Sequence, residues 1–127
     1  MEQLSFTASA IEGSGRGKEL GVPTVNVDLS SVPEELEDGN YACFVELSDI
    51  PNKKYLGAMH YGPRPVFRDS RACEVHVIDE VLPTLPTTVA ITVIERLRDI
   101  DDFPSAEALV AQIQEDIAQC RAILSAA

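Results

Sequence analysis

Apolar and polar residues alternate in short runs along most of the chain, the period-2 signature of strands with one face buried. Phe6, Ala8 and Ala10 alternate with Thr7 and Ser9. Val25, Val27 and Leu29 alternate with Thr24, Asn26 and Asp28, and Tyr41, Cys43, Val45 and Leu47 share one face with Glu46 opposite. Tyr55 to Tyr61, Cys73 to Ile78 and Val89 to Leu97 bring the expectation to about six strands. Turn chemistry separates them at Glu37-Asp38-Gly39-Asn40, at Ser48-Asp49-Ile50-Pro51-Asn52 and at Gly62-Pro63-Arg64-Pro65.

Helical spacing is confined to the C-terminal segment, where Leu109, Ile113, Ile117, Cys120 and Leu124 recur at intervals of three and four. Ser105, after Pro104, is the expected N-cap, and Glu107 in the first turn suits the helix dipole. The pattern predicts a mainly β fold: an antiparallel sheet long enough to close into a barrel, with one amphipathic C-terminal helix packed on it.

Composition narrows the class. The chain has 127 residues, 45% of them hydrophobic, which suits one compact domain spanning residues 1–127 and argues against wholesale disorder. No stretch approaches the roughly 18 apolar residues of a bilayer span, and Met1 to Ser5 lack the basic and apolar regions of a secretory signal. A cytoplasmic, monomeric protein with no membrane partner is the expectation. Cys43, Cys73 and Cys120 are odd in number and widely spaced, which offers neither a disulfide framework nor a zinc knuckle and reads as small core residues. A net charge of −11 repels polyanions, so no nucleic-acid partner is expected. A nucleotide triphosphate would have to arrive with a divalent cation and land on local donors.

Such a place exists. Four of the seven glycines fall between Gly13 and Gly21 in Gly13-Ser14-Gly15-Arg16-Gly17-Lys18-Glu19-Leu20-Gly21. Dense glycine lets backbone N–H groups approach phosphate oxygens, and Arg16 and Lys18 add charge. The segment is not a Walker A loop, which would need Gly in place of Glu12 and Ser or Thr in place of Glu19. By itself it also fits a plain hairpin loop. Directly after it, Thr24 and Asn26 lie two apart on a predicted strand and project to one side, where a hydroxyl and an amide oxygen are hard donors suited to Mg²⁺. The alternative is the polar outer face of an amphipathic strand. Glu74 and His76 likewise share a face, opposite Cys73, Val75 and Val77. A carboxylate on a rigid strand can take a proton from a substrate hydroxyl, or it can simply be a surface Glu paired with Arg71 or Arg96. His60, His76 and Glu74 lack a spacing that would specify a metal site.

Taken in order, the segments resemble the riboflavin kinase family along nearly the whole chain. The residues that carry the resemblance are Gly15 to Asn26, which correspond to the family's glycine-rich loop and Pro-Thr-Ala-Asn motif, then Gly39-Asn40-Tyr41-Ala42, Gly62-Pro63-Arg64-Pro65, Glu74-Val75-His76, Leu97-Arg98 and Phe103-Pro104-Ser105. The resemblance implies a six-stranded antiparallel Greek-key barrel with a C-terminal helix. It implies transfer of the γ-phosphoryl of ATP to the ribityl 5′-hydroxyl of riboflavin, giving FMN, with Mg²⁺ as metal. Gly13, Gly15, Arg16, Gly17, Lys18, Gly21, Pro23, Thr24 and Asn26 would then hold the nucleotide, and Thr24 and Asn26 also the metal. Glu74 would be the catalytic base beside the flavin's ribityl chain, and Arg98 would belong to the flavin side. Val25 and Val66 stand where the family commonly has Ala and Thr, and Leu82 to Thr87 replace its Leu-Tyr-Gly segment. None of these changes removes a proposed ligand or base. The adenylyltransferase domain fused to most bacterial members has no counterpart in these residues, so FMN rather than FAD is the expected product. A non-catalytic flavin- or nucleotide-binding module on the same fold is the competing reading.

Overall fold

The computed structural model describes residues 4–11, 24–64, 69–80, 86–100 and 103–126. Six strands, β1 (Leu4–Ile11), β2 (Val25–Val27), β3 (Gly39–Leu47), β4 (Ile50–Arg64), β5 (Asp69–Val77) and β6 (Thr88–Arg98), precede helix α1 (Ala106–Ala126). They close into a barrel in the order β1-β2-β5-β4-β3-β6, every neighbouring pair antiparallel. Strands β3, β4 and β5 form sequential hairpins, while β2 pairs with β5 and β6 inserts between β3 and β1. Closure gives every strand a paired neighbour on each side over part of its length.

The alternation decides which side chains fill the barrel. Val25, Val27, Cys43, Val45, Met59, Cys73, Val75, Val89 and Ile91 point inward and are almost wholly shielded. A second apolar layer lies outside β3, β4 and β6, where Ala42, Phe44, Leu56, Ala58, Ile94 and Leu97 meet Ile113, Ile117, Cys120, Ile123 and Leu124 of α1. The helix begins as expected: the Ser105 hydroxyl accepts a hydrogen bond from the Ala108 N–H at 3.1 Å. All three thiols are free and buried, and burial pushes Cys73 and Cys120 up to about 12.

Three boundaries differ from the sequence pattern. Strand β2 stops at Val27, because the Asp28 carboxylate accepts from the Ser30 N–H at 3.0 Å and caps a 3₁₀ turn over Leu29–Ser31. The turn expected over Ser48 to Asn52 shortens to Ser48 and Asp49, with Pro51 inside β4. Pro51 is tolerated there because the β5 pairing of β4 begins only at Gly57. Gly62 to Arg64, expected as part of a turn, continue β4 through a bulge in which Gly62 adopts φ 137°.

Polar groups lock one barrel end. Arg71 on β5 forks onto the Asp38 carboxylate, with Nη1 at 2.9 Å from Oδ2, and its guanidinium lies 5.1 Å from the Tyr61 ring centroid. Arg96 donates to the Asp38 carbonyl and to Asp99. The Arg71 hydrogen bond holds the Asp38 carboxyl below its ordinary range. A lowered carboxyl stabilises the fold above its unfolded titration and loses that contribution as pH falls through the folded value. Both partners are well exposed, which limits the pair to about 0–1 kcal/mol. Asp38→Asn is therefore expected to lower urea-unfolding stability by no more than that at neutral pH, with the difference from wild type disappearing in acid below the carboxylate range.

Candidate active site

Strand register carries one polar row around the outside of the barrel. Asn26 on β2 stands opposite Glu74 on β5, Glu74 opposite His60 on β4, His60 opposite Asn40 on β3, and Asn40 opposite Arg98 on β6. Directly opposed residues project to the same face, and the inward neighbours Val25, Val75, Met59 and Tyr41 are all buried in the core. Asn26, Glu74, His60, Asn40 and Arg98 are each half-buried. At the usual strand spacing the row runs roughly 14 Å along the sheet from Glu74 to Arg98.

Glu74 is placed between two polar neighbours on a central strand, so its position is fixed by ladders on both sides. Thr24 is half-buried, just before β2, and one further step of the β2–β5 register sets it opposite His76. Thr24, Asn26, Glu74 and His76 thus form a compact polar patch on two strands. The donor set at Thr24 and Asn26 is oxygen only, neutral and adjacent to a carboxylate, which fits a magnesium ion that keeps waters and takes its remaining oxygens from phosphates. Among the described residues, no group of three His, Cys, Asp or Glu side chains is arranged to hold a metal ion. Gly13, Gly15, Arg16, Gly17, Lys18, Gly21 and Pro23 lie outside the described residues, the last described residue before them being Ile11 of β1, paired with Asn26.

Arg98 closes the other end of the row. Its Nε and Nη2 donate to the two Asp116 carboxylate oxygens of α1 at 3.0 and 2.7 Å, its Nη1 donates to the Asp99 carbonyl at 3.1 Å, and its guanidinium lies 5.6 Å from the Phe103 ring centroid. The Arg groups considered as partners for Glu74 make other contacts: Arg71 with Asp38, and Arg96 with Asp38 and Asp99. Sequence reasoning did not place Asn40 and His60 in the site. The alternation marks both as outward on their strands, and His60 Nε2 lies 3.2 Å from the Gly62 carbonyl at the bulge. That carbonyl can only accept, so Nε2 carries the proton.

The family model described as riboflavin kinase (flavokinase) matches residues 1–124, which takes in the whole six-stranded barrel and nearly all of α1. The chain belongs to the riboflavin kinase family. A bifunctional riboflavin kinase/FMN adenylyltransferase of Buchnera aphidicola is 32% identical over 118 residues, which are 90% of this chain and 36% of that protein. The chain therefore spans about a third of the length of such relatives. An RNA-binding riboflavin kinase of Bacillus subtilis is 26% identical over 88% of this chain and 47% of its own length. Among solved structures, one described as a macrolide-efflux protein from Streptococcus pneumoniae superposes with a TM-score of 0.79 at 28% identity, over 94% of this chain and 38% of that one. Riboflavin kinase from Trypanosoma brucei superposes with a TM-score of 0.64 at 19% identity, over 98% of this chain and 82% of that one, a likeness of fold.

Proposed function

We propose that this chain is an ATP:riboflavin 5′-phosphotransferase whose residues 1–127 form one kinase domain, acting in the cytoplasm as a monomer. The observation that carries the reading is the register that sets Glu74 directly beside Asn26, a carboxylate next to an oxygen donor on the strand that follows the glycine-rich segment. Phosphoryl transfer asks a protein chiefly for positioning and charge stabilisation. Thr24 and Asn26 would hold Mg²⁺, which supplies positive charge to the phosphates when bound. Glu74 accepts the proton of the ribityl 5′-hydroxyl as that oxygen bonds to the γ-phosphorus and the bond from the γ-phosphorus to the β–γ bridging oxygen breaks, so that ADP leaves. The flavin lies along the row toward Arg98, its ribityl end at Glu74. The glycine-rich segment, with its Arg16 and Lys18, would supply the remaining donors to the phosphates. The charge of −11 supports the absence of a nucleic-acid partner, even with an RNA-binding relative in the family.

Purified protein is expected to convert riboflavin and Mg-ATP to FMN, with no FAD formed, and chelation of divalent cations should stop turnover. Chromatography that shows no FMN with ATP, CTP or GTP and several divalent metals would remove the kinase reading. Riboflavin binding without turnover would instead favour the non-catalytic module. Asn26→Ala and Thr24→Ala each remove one oxygen donor and should weaken Mg-ATP binding by roughly 10- to 100-fold, while Thr24→Ser, which keeps its hydroxyl, should be milder. Wild-type Mg-ATP affinity by calorimetry in a folded Asn26→Ala protein would overturn the metal assignment.

A further inference from the structure

Among the described residues, Asp116 is the charged side chain that is buried, at 5% exposure. It lies on the face of α1 that otherwise presents Ile113, Ile117, Cys120 and Leu124 to the barrel. Its Oδ1 accepts from Arg98 Nε at 3.0 Å and from Gln112 Nε2, one turn earlier, at 3.1 Å, and its Oδ2 accepts from Arg98 Nη2 at 2.7 Å. A buried ion pair of this kind adds little net stability, because desolvation offsets most of the attraction and apolar replacement of both partners is often neutral or better. What a forked pair does supply is geometry. Two parallel bonds fix the plane and the direction of a guanidinium, which a single bond or an apolar neighbour cannot do. The Asp99 carbonyl and the Phe103 ring complete the frame.

The direction matters because of where Arg98 stands. It ends the outward row Glu74, His60, Asn40, Arg98, so its orientation is set by a helix that contributes no other residue to that row. We propose that Asp116, itself held by Gln112, is a positioning residue for flavin binding: it fixes the Arg98 guanidinium so that it donates to a carbonyl oxygen of the flavin ring. The inference rests on the riboflavin kinase reading. It makes α1 a working part of the site as well as a cover for the barrel.

A double-mutant cycle on riboflavin affinity tests it, read by flavin fluorescence quenching without ATP and by steady-state kinetics, with Tm measured in parallel. Arg98→Leu and Asp116→Leu should each weaken riboflavin binding by roughly 10- to 100-fold, with the ATP KM changed by less than about twofold. The pair Arg98→Leu/Asp116→Leu should regain Tm, because no lone charge remains buried, yet bind riboflavin no better and no worse than Arg98→Leu. Where Asp116→Leu fails to fold, Asp116→Asn takes its place in the cycle. Recovery of wild-type riboflavin affinity in the double variant would make the pair purely structural and overturn the proposal, and so would additive losses or single variants that bind as wild type. Wild-type protein that binds riboflavin without making FMN would sink the kinase reading alone, since the cycle still reads binding. Wild-type protein that binds no riboflavin would sink both.

Discussion

Glu74→Gln is expected to lower kcat for FMN formation by about 10²- to 10⁴-fold while both KM values change little. The amide keeps the size of the side chain and its place between Asn26 and His60, but it cannot accept the hydroxyl proton at neutral pH. A loss confined to kcat would therefore isolate the proton transfer from binding. The competing account treats Glu74 as an ion-paired surface residue, worth about 0–1 kcal/mol, whose replacement leaves the rate untouched. Those two forecasts differ by at least two orders of magnitude in rate, so the measurement decides between them. His76 shares the face of Glu74 one strand step away, and His76→Ala should cost less activity than Glu74→Gln. Near wild-type turnover by Glu74→Gln, with flavin and nucleotide still bound, would show that the base is another group even if the reaction stands.

The parts of the fold that sequence makes legible are those where one residue's neighbours along the chain carry the information. Alternation assigns Val25, Val27, Cys73 and Val75 to the core and Asn26, Glu74 and His76 to the outer face, and the structure agrees. The i, i+3, i+4 spacing finds α1, and the Ser105 cap finds its start. The row is a different kind of object. Residues 26, 74, 60, 40 and 98 meet only through the order β2-β5-β4-β3-β6, in which β2 skips two strands to pair. No local pattern encodes that neighbour relation, so Glu74 stands out as a candidate base, while His60 reads only as a metal ligand to be weighed and Asn40 only as part of a motif. Asp116 was hidden for the opposite reason. A carboxylate within an apolar helical stripe reads as a polar edge until Arg98 is seen to meet it. Gly62-Pro63 failed because turn composition and bulge composition are the same: both need a residue that accepts positive φ, and only the continued pairing of Arg64 with Asp69 separates them.

Two glycines of β4, Gly57 and Gly62, yield the second large effect, one of stability. Gly57 lies in the barrel wall between Cys43 and Val77, and a Cβ added there would lie 2.7 Å from Val45 Cγ2, 3.0 Å from Cys43 Sγ and 3.2 Å from Val75 Cγ1. Those three side chains are themselves buried, and valine has little rotamer freedom with which to withdraw. Gly57→Ala gains roughly 0.5–1 kcal/mol from reduced unfolded-chain freedom, but overpacking a filled core costs about 1–3 kcal/mol. The packing term is larger, so a net loss of stability is expected by denaturant unfolding. Gly62→Ala should also destabilise, but through a different cause, because its φ of 137° is a backbone state that alanine rarely adopts and its added Cβ would meet Asp38 at 3.1 Å. Removing the obstructing methyls separates the two. Val45→Ala opens space beside Gly57 and none at Gly62, so Gly57→Ala should cost less in the Val45→Ala background than in wild type, whereas the cost of Gly62→Ala should be the same in both. Equal costs for Gly57→Ala in the two backgrounds would mean that the barrel wall yields by moving its backbone, and that the side-chain contacts at Gly57 do not set its packing.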